Sequence, residues 1–287
     1  MAKVKFTKMH GLGNDYVYFD CVDNANLIPD DKIEVTAQKV ADRHFGVGGD
    51  GIVLMLKHTE ADFQMRMINA DGSEAEMCGN AIRCVGKYLF DMGHTDKDVI
   101  TVMTGAGILT LVMTVVAGKV ELVRVDMGEP ILDGLTIPTT FDMAQVVSEE
   151  TTLSTGKKFN LSCVSMGNPH CVIFVDEITD ENIFVDGKEL ETCALFPNRI
   201  NVEFAQVISR SEINMRVWER GTGETMACGT GATATGVAAM LNGLTDRKVT
   251  IHLLGGDLEI EWIEESNHVF MTGPATIAFT GEIEIEL

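Results

Sequence analysis

Basic residues are scarce in this chain. Lys and Arg number 22 against 43 Asp and Glu, a formal net charge of -21. Nucleic-acid binding rests on basic patches that neutralise phosphates, so a nucleic-acid partner is excluded. Long apolar runs are also missing. The longest apolar-rich stretch, residues 108–117, is broken by Thr110 and Thr114 and is far too short to span a bilayer. The opening MAKVKFTKMHGLGND has no apolar segment of the secretory type. No membrane partner and a cytoplasmic location are expected. Close cysteine pairs are absent as well. The seven cysteines are odd in number and include no CxxC, so reduced thiols are expected rather than a disulfide framework. Cys21, Cys84, Cys163, Cys171 and Cys193 read as small buried hydrophobes.

What the chain does have is an internal repeat. Met65, Arg66, Glu74, Cys78, Gly79, Gly86, Gly93, Val99 and Gly105 recur 150 positions later as Met215, Arg216, Glu224, Cys228, Gly229, Gly236, Gly243, Val249 and Gly255. No gap is needed. Each copy reads as a strand, a glycine-bearing turn, a cysteine, and a helix that opens at that cysteine. A chain of 287 residues has room for one or two domains, and the repeat favours two. The expected boundaries are 1–127 plus 275–287 for a half carrying Cys78, and 128–274 for a half carrying Cys228.

In chain order, strands are expected at 4–6, 16–19, 52–56 and 62–68, with a helix after Asp30 and Asp31, which are placed to cap it. The repeated helix runs from Gly79 to Met92, and Gly93 supplies its left-handed end. Strands follow at 99–103, 108–117 and 120–125. The stretch 127–138 reads as a linker. The second half carries strands at 159–165, 171–175, 201–207 and 213–218, a helix around 188–195, the second repeated helix at 229–241, and strands at 249–253, 257–264 and 268–271. Residues 275–287 remain as a strand that can return to the first half. Many strands with one central helix per half imply an α+β fold of two pseudo-symmetric domains.

The duplicated cysteine carries the functional signal. A helix N-terminus presents unpaired amides and about half a positive charge, which lowers the pKa of a nearby thiol and attracts an anion. Two such ends acting on one substrate suit proton exchange at a carbon next to a carboxylate. The amides stabilise charge developing on the carboxylate, while one sulfur takes a proton from one face and the other returns one to the opposite face. At rest one sulfur is expected as thiolate and the other as thiol. Two other readings were weighed: a redox pair formed by the two cysteines, and a zinc site drawing on Cys78, Cys228 and His170, which lacks any close ligand pair.

HGLGNDY at 10–16, NADGSEAEMCGN at 69–80, GNPHCV at 167–172 and ERGTGETMACGTG at 219–231 resemble the motifs of the diaminopimelate epimerase family. The resemblance spans essentially the whole chain in the right order. It implies two domains, each a strongly curved mixed sheet or barrel around a central helix. It also implies cofactor-independent, metal-free interconversion of LL- and meso-2,6-diaminopimelate, in lysine and peptidoglycan synthesis, by a thiol and a thiolate. On the matching positions, Cys78 and Cys228 become acid and base, and the amides of Gly79, Asn80, Gly229 and Thr230 hold the reacting carboxylate. Asn14, Asn69, Asn168, Asn201, Glu219 and Arg220 become substrate contacts. His170 and Glu219 tune the cysteines. A homodimer is compatible with the resemblance. One departure stands out: many members carry a substrate-contacting glutamine where this chain has Gly51, so that contact is either absent or replaced. The neighbouring alternatives are a proline racemase-like two-cysteine enzyme and a non-enzymatic thiol redox or binding protein.

Overall fold

A computed structural model describes residues 2–286. The chain clusters into two compact units, Met1–Val125 with Gly273–Leu287, and Asp126–Thr272.

The first unit contains β1 (Ala2–Gly11), β2 (Asn14–Asp20), α1 (Ile33–Ala41), β3 (Gly51–Lys57), β4 (Phe63–Asn69), β5 (Glu74–Ala75), α2 (Gly79–Asp91), β6 (Val99–Thr104), β7 (Gly107–Val116) and β8 (Lys119–Asp126). The second contains β9 (Val146–Thr152), β10 (Lys158–Ser165), β11 (Pro169–Phe174), the short α3 (Lys188–Glu191), β12 (Asn201–Ser209), β13 (Glu212–Glu219), β14 (Gly223–Glu224), α4 (Gly229–Leu241), β15 (Lys248–Leu253), β16 (Gly256–Trp262) and β17 (Val269–Pro274). The last strand, β18 (Thr276–Ile285), returns to the first unit and pairs antiparallel with β1.

Both units use the same pairing rules. In the first, β1 and β2 are antiparallel, β2 and β3 parallel, β3 and β4 antiparallel, and β4 runs parallel to β6, which continues antiparallel to β7. In the second, β10, β11, β12, β13, β15 and β16 repeat that sequence of directions. The central strand β3, GIVLMLK, is buried along its first five residues, as a strand covered on both faces must be. The architecture is α+β, a mixed sheet packed around one long central helix in each unit.

The two central helices occupy equivalent spans and solve their burial differently. In α2 the apolar side chains Ala81, Ile82, Cys84, Val85 and Leu89 face the core. α4 buries ten of its thirteen residues, as α2 does, but is built mostly of Gly, Ala and Thr. Small side chains let the strands approach it closely, and its buried hydroxyls need partners. Thr233 Oγ1 donates to the Gly229 carbonyl at 2.8 Å, and Thr235 Oγ1 reaches Met215 Sδ at 3.1 Å. Each helix ends on a glycine in the left-handed region, Gly93 at φ 81° and Gly243 at φ 69°. The next amides close back onto the helix, His94 N on Leu89 O and Leu244 N on Ala239 O, both at 2.9 Å.

Four expectations need correction. Asp30 and Asp31 do not cap α1: they sit in a one-turn 3-10 segment, and Asp30 instead accepts from Arg66 at 2.8 Å. Strand β9, VVSEETT, was unforeseen because its side chains are mostly polar and alternate in exposure. The helix expected around 188–195 begins earlier, as a wide turn over Asn182–Gly187, and ends at Glu191. The stretch 127–138 is packed within the second unit, where Ile137 is fully buried and Ile131 bridges Ser165.

The seating of α4 is testable. A Cβ on Gly236 would lie 2.8 Å from Ile260 Cγ2, whereas one on Gly86 would meet the flexible Leu111 Cδ1 at 3.1 Å. Alanine gains about 1 kcal/mol of helix propensity over glycine, and overpacking costs about 1–3 kcal/mol. Gly236→Ala should therefore lower unfolding free energy in urea by about 1 kcal/mol net, while Gly86→Ala should be neutral or stabilising. Equal effects from the two substitutions would contradict the packing account.

Candidate active site

The two cysteines sit where strand–turn–helix geometry puts them. Cys78 and Cys228 are the N-cap residues of α2 and α4, with extended backbone angles (φ -141°, ψ 119° and φ -113°, ψ 109°). The turns before them are braced alike. Arg66 Nε donates to Glu74 at 2.9 Å and Arg66 Nη1 to Asp30 at 2.8 Å; Arg216 Nε donates to Glu224 at 2.7 Å and Arg216 Nη1 to Asp180 at 2.9 Å. Each member of one brace lies 150 positions from its counterpart in the other. The strand before the turn and the hairpin residue after it are thus tied to a third segment in each unit.

Around Cys78 lie an amide, backbone and the buried Arg83 guanidinium, which feels the charge of the sulfur. Its Sγ lies 3.3 Å from Asn14 Oδ1, where β2 begins. Gly79 and Asn80, the next two residues, are buried. The first turn is held from below by Arg83, fully buried, which donates to Gly79 O and Asn80 Oδ1 at 2.9 Å and to Pro274 O at 3.2 Å. Burial pulls the Arg83 guanidinium down from its usual range, and the nearby Cys84, Cys78 and Tyr18 oppose that shift. Asn69, at the end of β4, donates to Ser73 Oγ at 3.1 Å.

Around Cys228 the groups are acidic. Cys228 is 6% exposed, its Sγ accepts from Gly231 N at 3.4 Å, and it lies 3.5 Å from Thr230 Oγ1. Burial, then the charges of Glu219 and Glu203, push its thiol well above 9.0, and the Thr230 hydroxyl and Gly231 amide only partly offset them. The helix end alone suggested a lowered thiol. Desolvation beside two carboxylates outweighs it. Glu219, half-buried, accepts from Thr225 Oγ1 and is raised by burial, against the pull of Thr225, Cys228 and His170. His170 is fully buried, with Nδ1 2.7 Å from Glu203 Oε1 and Nε2 3.1 Å from Asn168 Oδ1, and Asn168 Nδ2 reaches Thr230 Oγ1 at 3.2 Å.

Sequence profiles and structural comparison bear on this arrangement. The profile described as Diaminopimelate epimerase matches residues 6–132 and 162–278. The diaminopimelate epimerase of Acetivibrio thermocellus is 55% identical over 98% of this chain and 99% of its own length, and that of Methanococcus maripaludis strain C5 is 53% identical over 98% and 100%.

The chain belongs to the diaminopimelate epimerase family.

Its fold also extends to more distant proteins. A Bacillus anthracis phenazine biosynthesis protein of the PhzF family superposes with a TM-score of 0.69 at 16% identity, covering 99% of this chain and all of that one. A hydroxyproline epimerase from Agrobacterium vitis gives 0.67 at 13%, covering 99% and 91%. At these identities the likeness concerns the fold.

Two of the residues expected at the site, Asn201 and Arg220, have structural contacts in this chain. Asn201 donates through Nδ2 to Pro169 O and accepts Arg220 N at Oδ1, both at 2.9 Å, so it joins β11 to the loop that carries Arg220. Arg220 itself is exposed and donates to Asn198 O at 3.3 Å. At Gly51, paired with Asn69 across β3 and β4, a Cβ would fall well inside contact distance of the Ile68 carbonyl oxygen and 3.0 Å from Asn69 Cα. The backbone there leaves no room for a side chain unless it shifts.

Sequence reasoning missed Glu203, Glu191, Arg83 and Asp50. Glu203 is buried against His170 because parallel pairing sets His170 beside Asn201, two residues from Glu203. Glu191 accepts from Trp218 Nε1 and Gly221 N, both at 2.8 Å, and so anchors the loop bearing Glu219 and Arg220. A charged residue inside an otherwise apolar helix pattern was the available signal for Arg83. Among the described residues, no three His, Cys, Asp or Glu side chains are grouped to hold a metal ion, and all seven cysteines are free.

The acidity of Cys228 has a measurable signature. Its unfolded thiol ionises near 9.0 and its folded thiol higher, so the native state holds the proton longer, and stability present below pH 9.0 is lost as pH rises toward the folded value. The 240 nm thiolate difference between the native protein and Cys228→Ala should stay flat through pH 9.0, and the variant should lack that alkaline loss of stability. A thiolate step centred below about pH 8 would contradict the account.

Proposed function

We propose that this member of the family epimerises diaminopimelate by a two-base mechanism in which Cys78 and Cys228 are the acid and base. The carrying observation is the pair of cysteine N-caps at equivalent helix starts, each followed by buried backbone donors. Diaminopimelate epimerase activity, an isomerase step of lysine biosynthesis, follows from full-length relatives. The residue roles are those the family resemblance implies, and the cysteine N-caps support them.

The amides of Gly79 and Asn80 and of Gly229 and Thr230 take the α-carboxylate, where charge builds as the α-proton leaves. Each charge-assisted hydrogen bond is worth about 1.5–3 kcal/mol. Cys228 acts with Glu219. That carboxyl, raised by burial and hydrogen-bonded to the thiol, receives the Cys228 proton as the sulfur becomes the base. Cys78 then delivers its proton to the opposite face. In the reverse direction the sulfurs exchange tasks. His170, clamped to Glu203 and Asn168, acts on Cys228 indirectly through Asn168 and Thr230. Asn14, Asn69, Asn168 and Asn201 recognise the substrate with Arg220, whose guanidinium binds the distal carboxylate while Glu219 faces an ammonium. No cofactor or metal enters the scheme. No described helix is long and apolar enough to cross a membrane, and the reading puts the enzyme in the cytoplasm.

In deuterium oxide, with reductant and no added cofactor or metal, the protein should wash deuterium into the α-position of diaminopimelate. Activity on proline instead would favour the racemase reading, and absence of exchange on any amino acid a redox or binding role. Cys78→Ala and Cys228→Ala should each reduce epimerisation by at least about 10³-fold. Full activity in either variant would overturn the two-base scheme. Arg220→Met should raise KM by about 10- to 100-fold with a smaller change in kcat, since it removes charged hydrogen bonds to a non-reacting end. An unchanged KM would remove Arg220 from the substrate contacts.

A further inference from the structure

The Asn14 amide that touches Cys78 is oriented from behind. Asn14 Nδ2 donates to Asp50 Oδ2 at 2.7 Å, and the same oxygen accepts Asp15 N at 3.0 Å. Asp50 Oδ1 accepts from Arg43 Nη2 at 2.8 Å, and the same Arg43 nitrogen holds Asp15 Oδ1 at 2.8 Å. Lys8, nearly buried, closes the group through an ion pair with Asp15 and a hydrogen bond to Gly48 O. Both Asp50 oxygens are thus used as acceptors, one by Asn14 and the Asp15 amide and the other by Arg43.

That restriction carries through the amide. A carboxylate behind Asn14 accepts only from the NH₂ end, so the carbonyl end must face Cys78 Sγ, 3.3 Å away. A carbonyl accepts from S–H and repels a thiolate, and so opposes the Arg83 guanidinium, whose charge acts on Cys78 in the other sense. We propose that Asp50 is a positioning residue for the reaction: it fixes the direction of the Asn14 amide and so holds Cys78 as a protonated hydrogen-bond donor in the free protein. The second unit has no counterpart, since the position equivalent to Asp50 is Ile200 and the asparagine near Cys228 binds Thr230 and His170. The free protein therefore meets substrate with the Cys78 proton in place. Cys78 opens as acid and Cys228, beside Glu219, as base.

The proposal rests on the two-base reading but its test needs no turnover. Cys78 is partly exposed, so its alkylation by iodoacetamide can be followed across pH by peptide mass spectrometry, with circular dichroism and thermal melting reporting the fold. Asp50→Asn presents an amide that can donate to Asn14, freeing the Asn14 amide to turn its NH₂ toward sulfur. Alkylation of Cys78 at pH 7 should then accelerate by about tenfold and its pH midpoint should fall. Asp50→Glu, which keeps an accepting carboxylate, should stay within about threefold of the parent. Asn14→Ala should accelerate alkylation as Asp50→Asn does, and the double variant should add nothing further. In turnover, Asp50→Asn should move the pH profile and kcat more than KM. An unshifted alkylation midpoint in folded Asp50→Asn overturns the proposal. So does slower alkylation in Asn14→Ala, which would make Asn14 a donor to the sulfur and decides the matter even where Asp50→Asn fails to fold. Deuterium exchange by the parent protein tests the epimerase reading separately.

Discussion

A helix whose first turn is buried carries backbone donors that the helix itself cannot satisfy. Both Cys–Gly turns bury such donors next to a sulfur, and most of the surrounding structure exists to keep them there. The Arg–Glu–Asp braces tie the preceding strand and hairpin to a distant segment. Left-handed glycines stop both helices after thirteen residues. Small residues in α4 and the buried Arg83 in α2 are two ways of packing a helix inside a sheet without moving its N-terminus. A carboxylate is the natural complement to these ends, and a carbon attached to that carboxylate is then within reach of the thiol.

The same backbone supports two chemically different sulfurs. In the second unit, carboxylates crowd Cys228 and desolvation pushes its thiol up, and Glu219 beside it is itself raised by burial. In the first unit the neighbour is a neutral amide whose direction is set by an ion cluster. The helix dipole is common to both sites. What differs is the second layer, and the differences oppose the dipole to different extents. A helix N-terminus is therefore a poor guide to thiol acidity when the thiol is buried beside charge of its own sign.

The gapless repeat made the fold legible. Once Cys78 and Cys228 are aligned at a constant offset, the strand, turn and helix around each follow from turn chemistry and apolar pattern, and the helix bounds 79–91 and 229–241 agree with the spacing of Gly79, Gly93, Gly229 and Gly243. Polar strands were not legible: β9 alternates Ser, Glu and Thr and is held by pairing to β10 rather than by an apolar face. Nor were the supports of the site. Asp50 lies 36 residues from Asn14, and Glu203 lies 33 from His170. Their roles depend on which strands run parallel, a tertiary fact that no local pattern encodes. Asp30 shows the converse error. Its position suited a cap, but Arg66 offered a full charge where the helix offered amide dipoles, and the stronger partner won.

The pattern of divergence between the two copies can be argued from these layers. Residues that shape the backbone stayed alike, namely the brace arginines, the glutamates they hold and the Cys–Gly step itself. Residues that set charge around the sulfur did not: Asn69 stands opposite Glu219, and Asp50 opposite Ile200. A substrate bound with one end at the sulfurs and the other held apart does not share the two-fold relation between the two copies. An exactly symmetric pair of sites would have no separate place for that second end. Placing an ionisable carboxyl by one sulfur and a fixed amide by the other breaks that equivalence while leaving the helix ends, which the symmetric part of the chemistry requires, unchanged.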